Sequence, residues 1–236
     1  MEPSRQQSTS AEQPETQPGP PETRPGPPTS IEPSVWSTSF APPERIELGD
    51  VVLRRSRLAD TELAVVAVRR SLTHLQRWMP WAVDGYDLGE SADYLRRSEL
   101  EWDQGTAFNY ALVDPADAWL GSFSLMGRVG PNALEIGYWV AVDHVRRGLA
   151  TLGAAALTSA GLALPDVGRI EIHHDRDNLV SGRIPARLGY VRLREQPAPE
   201  VDVPNGSGVH VVWAMEQDAW PGSPGAALVA AARGAA

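Results

Sequence analysis

The strongest constraint on the fold is a strand-like run that passes through a short loop into a long helix. The run is Glu135-Ile-Gly-Tyr-Trp-Val-Ala-Val142, and the loop carries Arg146, Arg147 and Gly148 before an Ala/Leu-rich helix. Amide groups at a helix start lack partners inside the helix and lie at the positive end of its dipole, so they can bind a phosphate. Alone, however, the pattern is more typical of a turn glycine and two solvated arginines. The spacings of the P-loop and of the dinucleotide fingerprint are both missing.

The hydrophobic periodicity of the remaining chain predicts an α+β domain. The predicted order β-α-α-β-β-β-α-β-α-β-β makes a mixed central sheet flanked by helices. The predicted elements are a strand at 51–53, a helix after Leu58-Ala59-Asp60, a helix from Ser91 to Gly105, strands at Ala107 to Val113, Trp119 to Met126 and Ala133 to Val142, a helix at Gly148 to Leu164, a strand at Arg169 to His174, a helix at Ser181 to Leu188, and strands at Val191 to Leu193 and Val209 to Met215.

Composition divides the chain into a proline-rich start, one domain and a short end. The start contains PGPPET and PGPPTS units that offer little to bury, so residues 1–44 are expected to form a disordered tail. A spacer is the favoured role for this tail, and a polyproline ligand for a partner domain is the alternative. Residues 45–218 are expected to form one domain, and residues 219–236 a flexible extension.

Residue usage excludes several chemistries. The chain has no cysteine, which excludes disulfides, thiolate nucleophiles and cysteine-ligated metals. The net charge of -9 is spread along the chain and argues against a nucleic-acid partner. No apolar run approaches the roughly 20 residues that span a bilayer, and the start lacks a secretory signal, so a cytoplasmic protein with no membrane partner is expected. The absence of lysine and the abundance of Ala, Gly and Pro suggest a bacterial source.

Histidines give no indication of a metal site. His173 and His174 are adjacent on a predicted strand and so face opposite sides of the sheet, where they cannot share a metal. A structural or solvent-facing role is expected for both.

Three motifs in one order carry a family resemblance. They are Arg146-Arg-Gly-Leu-Ala-Thr151, Asn178-Leu-Val-Ser181 followed by Arg187-Leu-Gly-Tyr190, and Leu75-Gln-Arg-Trp-Met-Pro-Trp81. Together they resemble the GNAT superfamily of N-acetyltransferases, and within it the RimJ/RimL-type branch of ribosomal-protein N-terminal acetyltransferases. Members share a Gln/Arg-x-x-Gly-x-Gly/Ala loop. Gly148 and Ala150 match its small positions, whereas Val145 replaces its leading residue. The resemblance covers about Val51 to Met215.

The resemblance implies that acetyl-CoA is the acetyl donor and that it binds in a wedge between two splayed central strands. A splayed strand has free N–H and C=O groups that need partners. The residues implied for the pantetheine arm are Trp139, Val140, Val142 and Asn178, the last of which could instead cap the next helix. The pyrophosphate would take the amides of Arg146, Arg147, Gly148, Leu149, Ala150 and Thr151. No metal is expected.

Acetyl transfer to an amine requires a base for the ammonium and a proton for the departing thiolate. Glu135 is the candidate base, acting directly or through water, and a charge on a solvent-facing side is the alternative. Many family members place a tyrosine seven residues after the asparagine, but this chain has Pro185 there. Ser181 is therefore the candidate acid, because the equivalent serine in the branch is associated with the CoA sulfur. The alternatives are that Ser181 is a helix cap or that bulk water donates the proton.

The acceptor is the part that the sequence defines least. Trp78, Trp81 and Tyr86 lie where the family shapes its acceptor pocket, and they either hold an amine or peptide end or seal the domain. The expected function is transfer of acetyl from acetyl-CoA to a primary amine, either a protein N-terminus or a small molecule. A non-catalytic acyl-CoA-binding or regulatory module is the alternative. The acceptor, the acyl chain length, the oligomeric state, with a homodimer as one option, and the role of the tail are left open.

Overall fold

An eight-stranded mixed sheet organises the computed structural model, which describes residues 37–198 and 204–234. The strands are β1 (Arg45–Glu47), β2 (Val52–Arg55), β3 (Ala107–Val113), β4 (Trp119–Met126), β5 (Ala133–Val140), β6 (Arg169–Asp175), β7 (Val191–Pro197) and β8 (Val209–Glu216). Their order across the sheet is β1-β2-β3-β4-β5-β6-β8-β7. Within the described sheet, β5 and β6 pair in parallel and the other neighbours pair antiparallel.

Helices cover both faces of this sheet, which confirms the predicted fold class. They are α1 (Thr61–Leu75), α2 (Leu88–Gln104), α3 (Leu149–Leu162), α4 (Leu179–Leu188) and α5 (Pro224–Gly234). Side chains alternate along β5, so Ile136 and Val140 pack into the core with α3, whereas Trp139 packs on the side of α1. Residues on β5 therefore reach both sides of the sheet.

Local signals fix the ends of α2. The Asp87 side chain accepts hydrogen bonds from the N–H groups of Gly89 and Glu90, and Gly105 ends the helix in the left-handed region at φ 68°. The helix begins at Leu88, about one turn before Ser91, because the acidic cap lies further upstream than the sequence interpretation placed it.

Both ends of the domain are more structured than predicted. Residues 1–36 of the predicted tail lie outside the described residues. The tail prediction is wrong for the segment from Thr38 to Glu44, because the Thr38 hydroxyl donates to Asp166 at 2.7 Å and the Tyr110 hydroxyl donates to the carbonyl of Pro43 at 2.9 Å.

The predicted flexible extension is also wrong over most of its length. Residues Pro224–Gly234 form α5, whose Val229 is 4% exposed and packs in the main core. A Cβ on Gly225 would lie 2.6 Å from the Trp220 ring, so the helix start fits closely against that side chain. None of the helices in the described ranges combines the length and hydrophobicity needed to cross a bilayer.

Candidate functional site

Strands β5 and β6 separate after a short paired stretch. Their parallel pairing runs from Ala133 with Arg169 to Ile136 with Ile172 and then ends, although both strands continue beyond that point. On its other side β5 stays paired with β4 as far as Val140. The second half of β5 therefore has a free edge towards β6, and an open wedge lies between the two strands, as the family resemblance implied.

The residues predicted along this edge differ in what they can offer. Trp139 and Val140 lie on the open part of β5, beyond the last pair with β6. The N–H of Val142 donates to the Ser71 hydroxyl of α1 at 3.0 Å. Val142 can therefore offer a ligand only its carbonyl oxygen.

A cradle of unpaired amides follows the wedge. Within the described residues, the N–H groups from Arg146 to Thr151 have no acceptor, and the first helical bond of this turn runs from Leu152 N–H to Gly148 O at 3.0 Å. Six successive predicted residues thus come together at the start of α3, namely Arg146, Arg147, Gly148, Leu149, Ala150 and Thr151. Free amides at a helix start form an anion site.

The backbone of this cradle is strained and open. Arg146 has φ 62° and Gly148 has φ 78°, both in the left-handed region. A non-glycine residue there costs about 1–3 kcal/mol, and such residues occur in turns and cluster at functional sites. A Cβ added to Gly148 would meet no atom within 4 Å, so the space in front of the amides is free of other described residues.

The start of α4 places Ser181 at the wedge. Asn178 is the N-cap of α4, and its side chain accepts the N–H of Ser181 at 3.2 Å. The interpretation of Ser181 as the cap is therefore wrong, whereas the capping alternative for Asn178 is confirmed. The Ser181 hydroxyl lies 3.2 Å from the hydroxyl of Tyr138 on β5. Sequence reasoning missed Tyr138, because strand alternation indicates which face of the sheet a residue is on but not which helix residue it meets there.

Glu135 is buried in an ion pair instead of facing solvent. It is 4% exposed, and Arg128 donates to both carboxylate oxygens, with Nε 2.7 Å from Oε2. Burial acts to raise the pKa of Glu135, but the charge and hydrogen bonds of Arg128 outweigh it and hold that pKa below its ordinary value. The solvent-facing alternative is wrong, and the carboxylate is ionised at neutral pH.

His173 connects Glu135 to a second buried carboxylate. Its Nε2 lies 2.7 Å from Glu171 Oε2 and its Nδ1 lies 3.5 Å from Glu135 Oε2. Glu171 is fully buried, and Arg169 approaches it to 2.9 Å. This contact could not be predicted from the sequence, because it depends on how β5 and β6 are paired. In the described ranges, no group of His, Asp and Glu side chains could hold a metal ion.

The predicted aromatic residues divide into two groups. Trp81 is half-buried, with ring centroids 6.1 Å from Tyr86 and 6.2 Å from Trp139 of the wedge strand. Tyr86 is 6% exposed and packs among apolar residues of α1, so it supports the Trp81 ring from the protein interior. Trp78 lies beside Arg77, 6.0 Å from its guanidinium carbon. Of the three, Trp81 is the one in contact with the wedge strand.

The strand wedge, the amide cradle beside it and the order of the strands define the protein as an acyltransferase. The family model for the acetyltransferase (GNAT) domain matches residues 50–191, and the chain belongs to this family of acetyltransferases. No curated protein sequence gives a significant match.

Solved structures share this fold at low sequence identity. RimL, the ribosomal L7/L12 α-N-protein acetyltransferase in complex with coenzyme A, is 20% identical in sequence and has a TM-score of 0.68. The aligned region covers 75% of this chain and 99% of the RimL chain. RimJ of Mycobacterium smegmatis, in complex with CoA-disulfide, is 22% identical with a TM-score of 0.67, covering 80% of this chain and 92% of its own. The microcin C7 self-immunity acetyltransferase MccE, in complex with acetyl-CoA and AMP, is 16% identical with a TM-score of 0.67, covering 74% of this chain and 97% of its own.

Proposed function

We propose that the protein transfers the acetyl group of acetyl-CoA to a primary amine. The observation that carries the proposal is the run of free amides from Arg146 to Thr151, placed directly after the free edge of β5. A pantetheine arm needs backbone partners and a pyrophosphate needs N–H donors, and the two features supply these in the order in which the donor presents them. The coenzyme bound in the RimL, RimJ and MccE structures is consistent with the same donor.

In this proposal the donor lies along the wedge with its thioester towards the paired part of β5 and β6. The backbone of Trp139 and Val140 and the carbonyl of Val142 bind the pantetheine arm, while the exposed Arg146 and Arg147 add positive charge beside the pyrophosphate. Asn178 acts indirectly, because its side chain caps α4 and so fixes the position of Ser181.

Glu135 and Ser181 are the proposed proton-transfer groups. Glu135 is ionised, as a base must be, but the two hydrogen bonds from Arg128 make it a weak base and occupy both oxygens. It is therefore proposed to take the ammonium proton through a water molecule. Ser181 is proposed to donate to the departing sulfur, since its hydroxyl lies at the wedge.

The acceptor is proposed to enter on the α1 side of the sheet, where Trp81 and Trp139 form an aromatic wall supported by Tyr86. Such a wall can hold an ammonium group or a peptide end. RimL, which shares the fold and is described as a ribosomal α-N-protein acetyltransferase, favours a protein N-terminus over a small-molecule amine as the acceptor. A cytoplasmic location, a bacterial source and a homodimer stay predictions.

A non-catalytic acyl-CoA-binding module is the second candidate function. Two observations favour it: Pro185 occupies the place of the usual tyrosine, and Arg128 engages both oxygens of Glu135. Turnover separates the two candidates.

The test is release of the free CoA thiol from acetyl-CoA in the presence of N-terminal peptides and small amines. We expect Glu135→Gln and Ser181→Ala each to lower kcat by about 10²-fold or more, as loss of a proton-transfer group does, with unchanged binding of acetyl-CoA. Glu47→Gln, in the exposed pair with Arg45 at the far edge of the sheet, is the matched control and should leave kcat unchanged. If the wild type binds acetyl-CoA but acetylates no amine, the second candidate function is correct.

A further inference from the structure

The side chain of Tyr138 meets Ser181 across the open wedge. Tyr138 lies on β5 two residues beyond Ile136, the last residue of this strand that pairs with β6, and its hydroxyl is 3.2 Å from the Ser181 hydroxyl at the start of α4. Within the described residues, neither hydroxyl makes a hydrogen bond to any other group. A strand residue and a helix residue distant in sequence thus form an isolated hydroxyl pair at the proposed sulfur position.

The Tyr138 ring is held firmly, which fixes its hydroxyl. The ring stacks on Phe123 at a centroid distance of 5.9 Å and an interplanar angle of 28°. Phe123 is fully buried on β4. Burial raises the pKa of Tyr138 to about 12, against a smaller lowering by its bond to Ser181, so the phenol stays protonated at neutral pH.

Each of the two hydroxyls is able to donate to the other, and the direction of the hydrogen bond decides which proton is free. A serine hydroxyl has one proton and two acceptor lone pairs. When Tyr138 donates to Ser181, the Ser181 oxygen has an acceptor position filled and its own proton is free to point into the wedge. A thioester sulfur in the wedge would receive that proton.

We propose that Tyr138 is a positioning residue that directs the Ser181 proton to the donor sulfur and restores it after transfer. The inference rests on the proposed acetyl transfer. The amine nitrogen forms a bond to the acetyl carbon, the carbon–sulfur bond breaks, and its electron pair moves to sulfur. Sulfur takes the proton of Ser181, and Ser181 takes the proton of Tyr138. The nitrogen, positively charged after the attack, releases one proton to water, and water returns a proton to the tyrosinate. Tyr138 on β5 thereby supplies the phenol that many family members place on the helix, where this chain has Pro185.

A packing role for Tyr138 is the rival explanation, and Tyr138→Phe separates the two. This variant keeps the ring on Phe123 and removes only the hydroxyl. Tyr94→Phe is a matched control, because the Tyr94 hydroxyl also faces a serine, Ser122, at 3.4 Å.

The first measurement is the pKa of the thiol of enzyme-bound CoA. The absorbance of the thiolate reports this titration. A hydrogen bond from Ser181 stabilises the thiolate, so we expect a lower thiol pKa in the wild type and in Tyr94→Phe than in Tyr138→Phe. Ser181→Ala should raise the thiol pKa at least as far as Tyr138→Phe, and the double variant Tyr138→Phe/Ser181→Ala should match Ser181→Ala, because Tyr138 acts only through Ser181.

The second measurement is turnover with two donors. With acetyl-CoA we expect Tyr138→Phe to lower kcat about tenfold, the effect of one lost hydrogen bond, with unchanged KM for the donor. With an acetyl thioester of nitrothiophenol, whose thiolate leaves without a proton, the loss should disappear.

The outcomes distinguish the two proposals. An unchanged thiol pKa in Tyr138→Phe, or an equal loss of kcat with both donors, overturns the role of Tyr138 while acetyl transfer stands. Failure of the wild type to bind CoA overturns the proposed function, and the role of Tyr138 with it.

Discussion

Replacing Arg128 with methionine leaves the Glu135 carboxylate buried without its cation. In the native protein Arg128 donates to both oxygens of Glu135, which is only 4% exposed. Methionine keeps most of the length of the side chain and removes the charge and the donors. The experiment therefore changes the electrostatics of Glu135 with little change in packing.

The expected loss follows from the exposure of the pair. Removing one partner of a buried ion pair costs about 3–5 kcal/mol. The Arg128 side chain is 33% exposed, so water already weakens the native pair, and we expect about 3 kcal/mol. For a domain of this size each kcal/mol lowers Tm by about 2–4 °C, which gives a fall of about 6–12 °C. Calorimetry and urea unfolding measure both quantities.

The loss should depend on pH in a defined direction. In the wild type the pKa of Glu135 is lowered, so its contribution to stability is present above the pKa of the unfolded chain and is lost only as pH falls through the lower folded pKa. In Arg128→Met the two largest lowering influences are gone, and burial, the largest influence of all, is opposed only by the smaller effects of the His173 and His210 charges, so that pKa rises. The carboxylate then takes up a proton as pH falls, and the stability difference between wild type and variant should shrink from about pH 7.5 to about pH 5.

Two variants test the reasoning. Arg128→Met/Glu135→Gln should recover much of the lost stability, because the second change removes the unpaired charge. Arg45→Met breaks an exposed pair, with both side chains more than half exposed, and should cost less than about 1 kcal/mol. An equal loss for Arg128→Met at both pH values, or a double variant no more stable than Arg128→Met, would refute the account of Glu135.

Two further perturbations test the packing that supports the site. Gly153→Ala on α3 would place a Cβ 2.4 Å from the Phe123 ring. We therefore expect the free energy of unfolding to fall by about 1–2 kcal/mol, despite the better helix propensity of alanine. Gly222→Ala, where the added Cβ meets no atom within 4 Å, is the control and should leave that free energy nearly unchanged. Ending the chain after Ser223 removes α5 and uncovers the core around Val229, so Tm should fall by several degrees, and an unchanged Tm would show that α5 contributes nothing to stability.

The sequence predicted the elements that have strong local signals. The strand predicted at Ala133 to Val142 and the helix predicted at Gly148 to Leu164 correspond to β5 and α3, because continuous apolar runs and a glycine turn mark both. β1 was missed, since three residues are too few to show an alternation. α5 was missed because its small residues give no clear periodicity, and its order depends on contacts with the core.

The candidate site was predicted to the extent that it is local in sequence. The residues from Arg146 to Thr151 follow one another along the chain, and their amides lie together as the loop pattern indicated. The Arg128–Glu135 pair and the contact of Tyr138 with Ser181 join side chains from separate elements. No spacing rule relates such residues, and only the packed sheet and helices bring them within hydrogen-bonding distance.

The most direct test of the proposed donor site is calorimetric titration of acetyl-CoA into the wild type, Gly148→Glu and Gly49→Glu. Both glycines are in the left-handed region, at φ 78° and φ 71°, and an added Cβ meets nothing closer than 3.9 Å at either position, so the two variants share the same strain. Gly148→Glu alone puts a negative charge among the free amides of α3, whereas Gly49 lies in the turn between β1 and β2. We expect wild type and Gly49→Glu to bind acetyl-CoA and Gly148→Glu to lose binding. Absence of binding by the wild type, or equal binding by Gly148→Glu, would contradict the assignment of the cradle to the donor pyrophosphate.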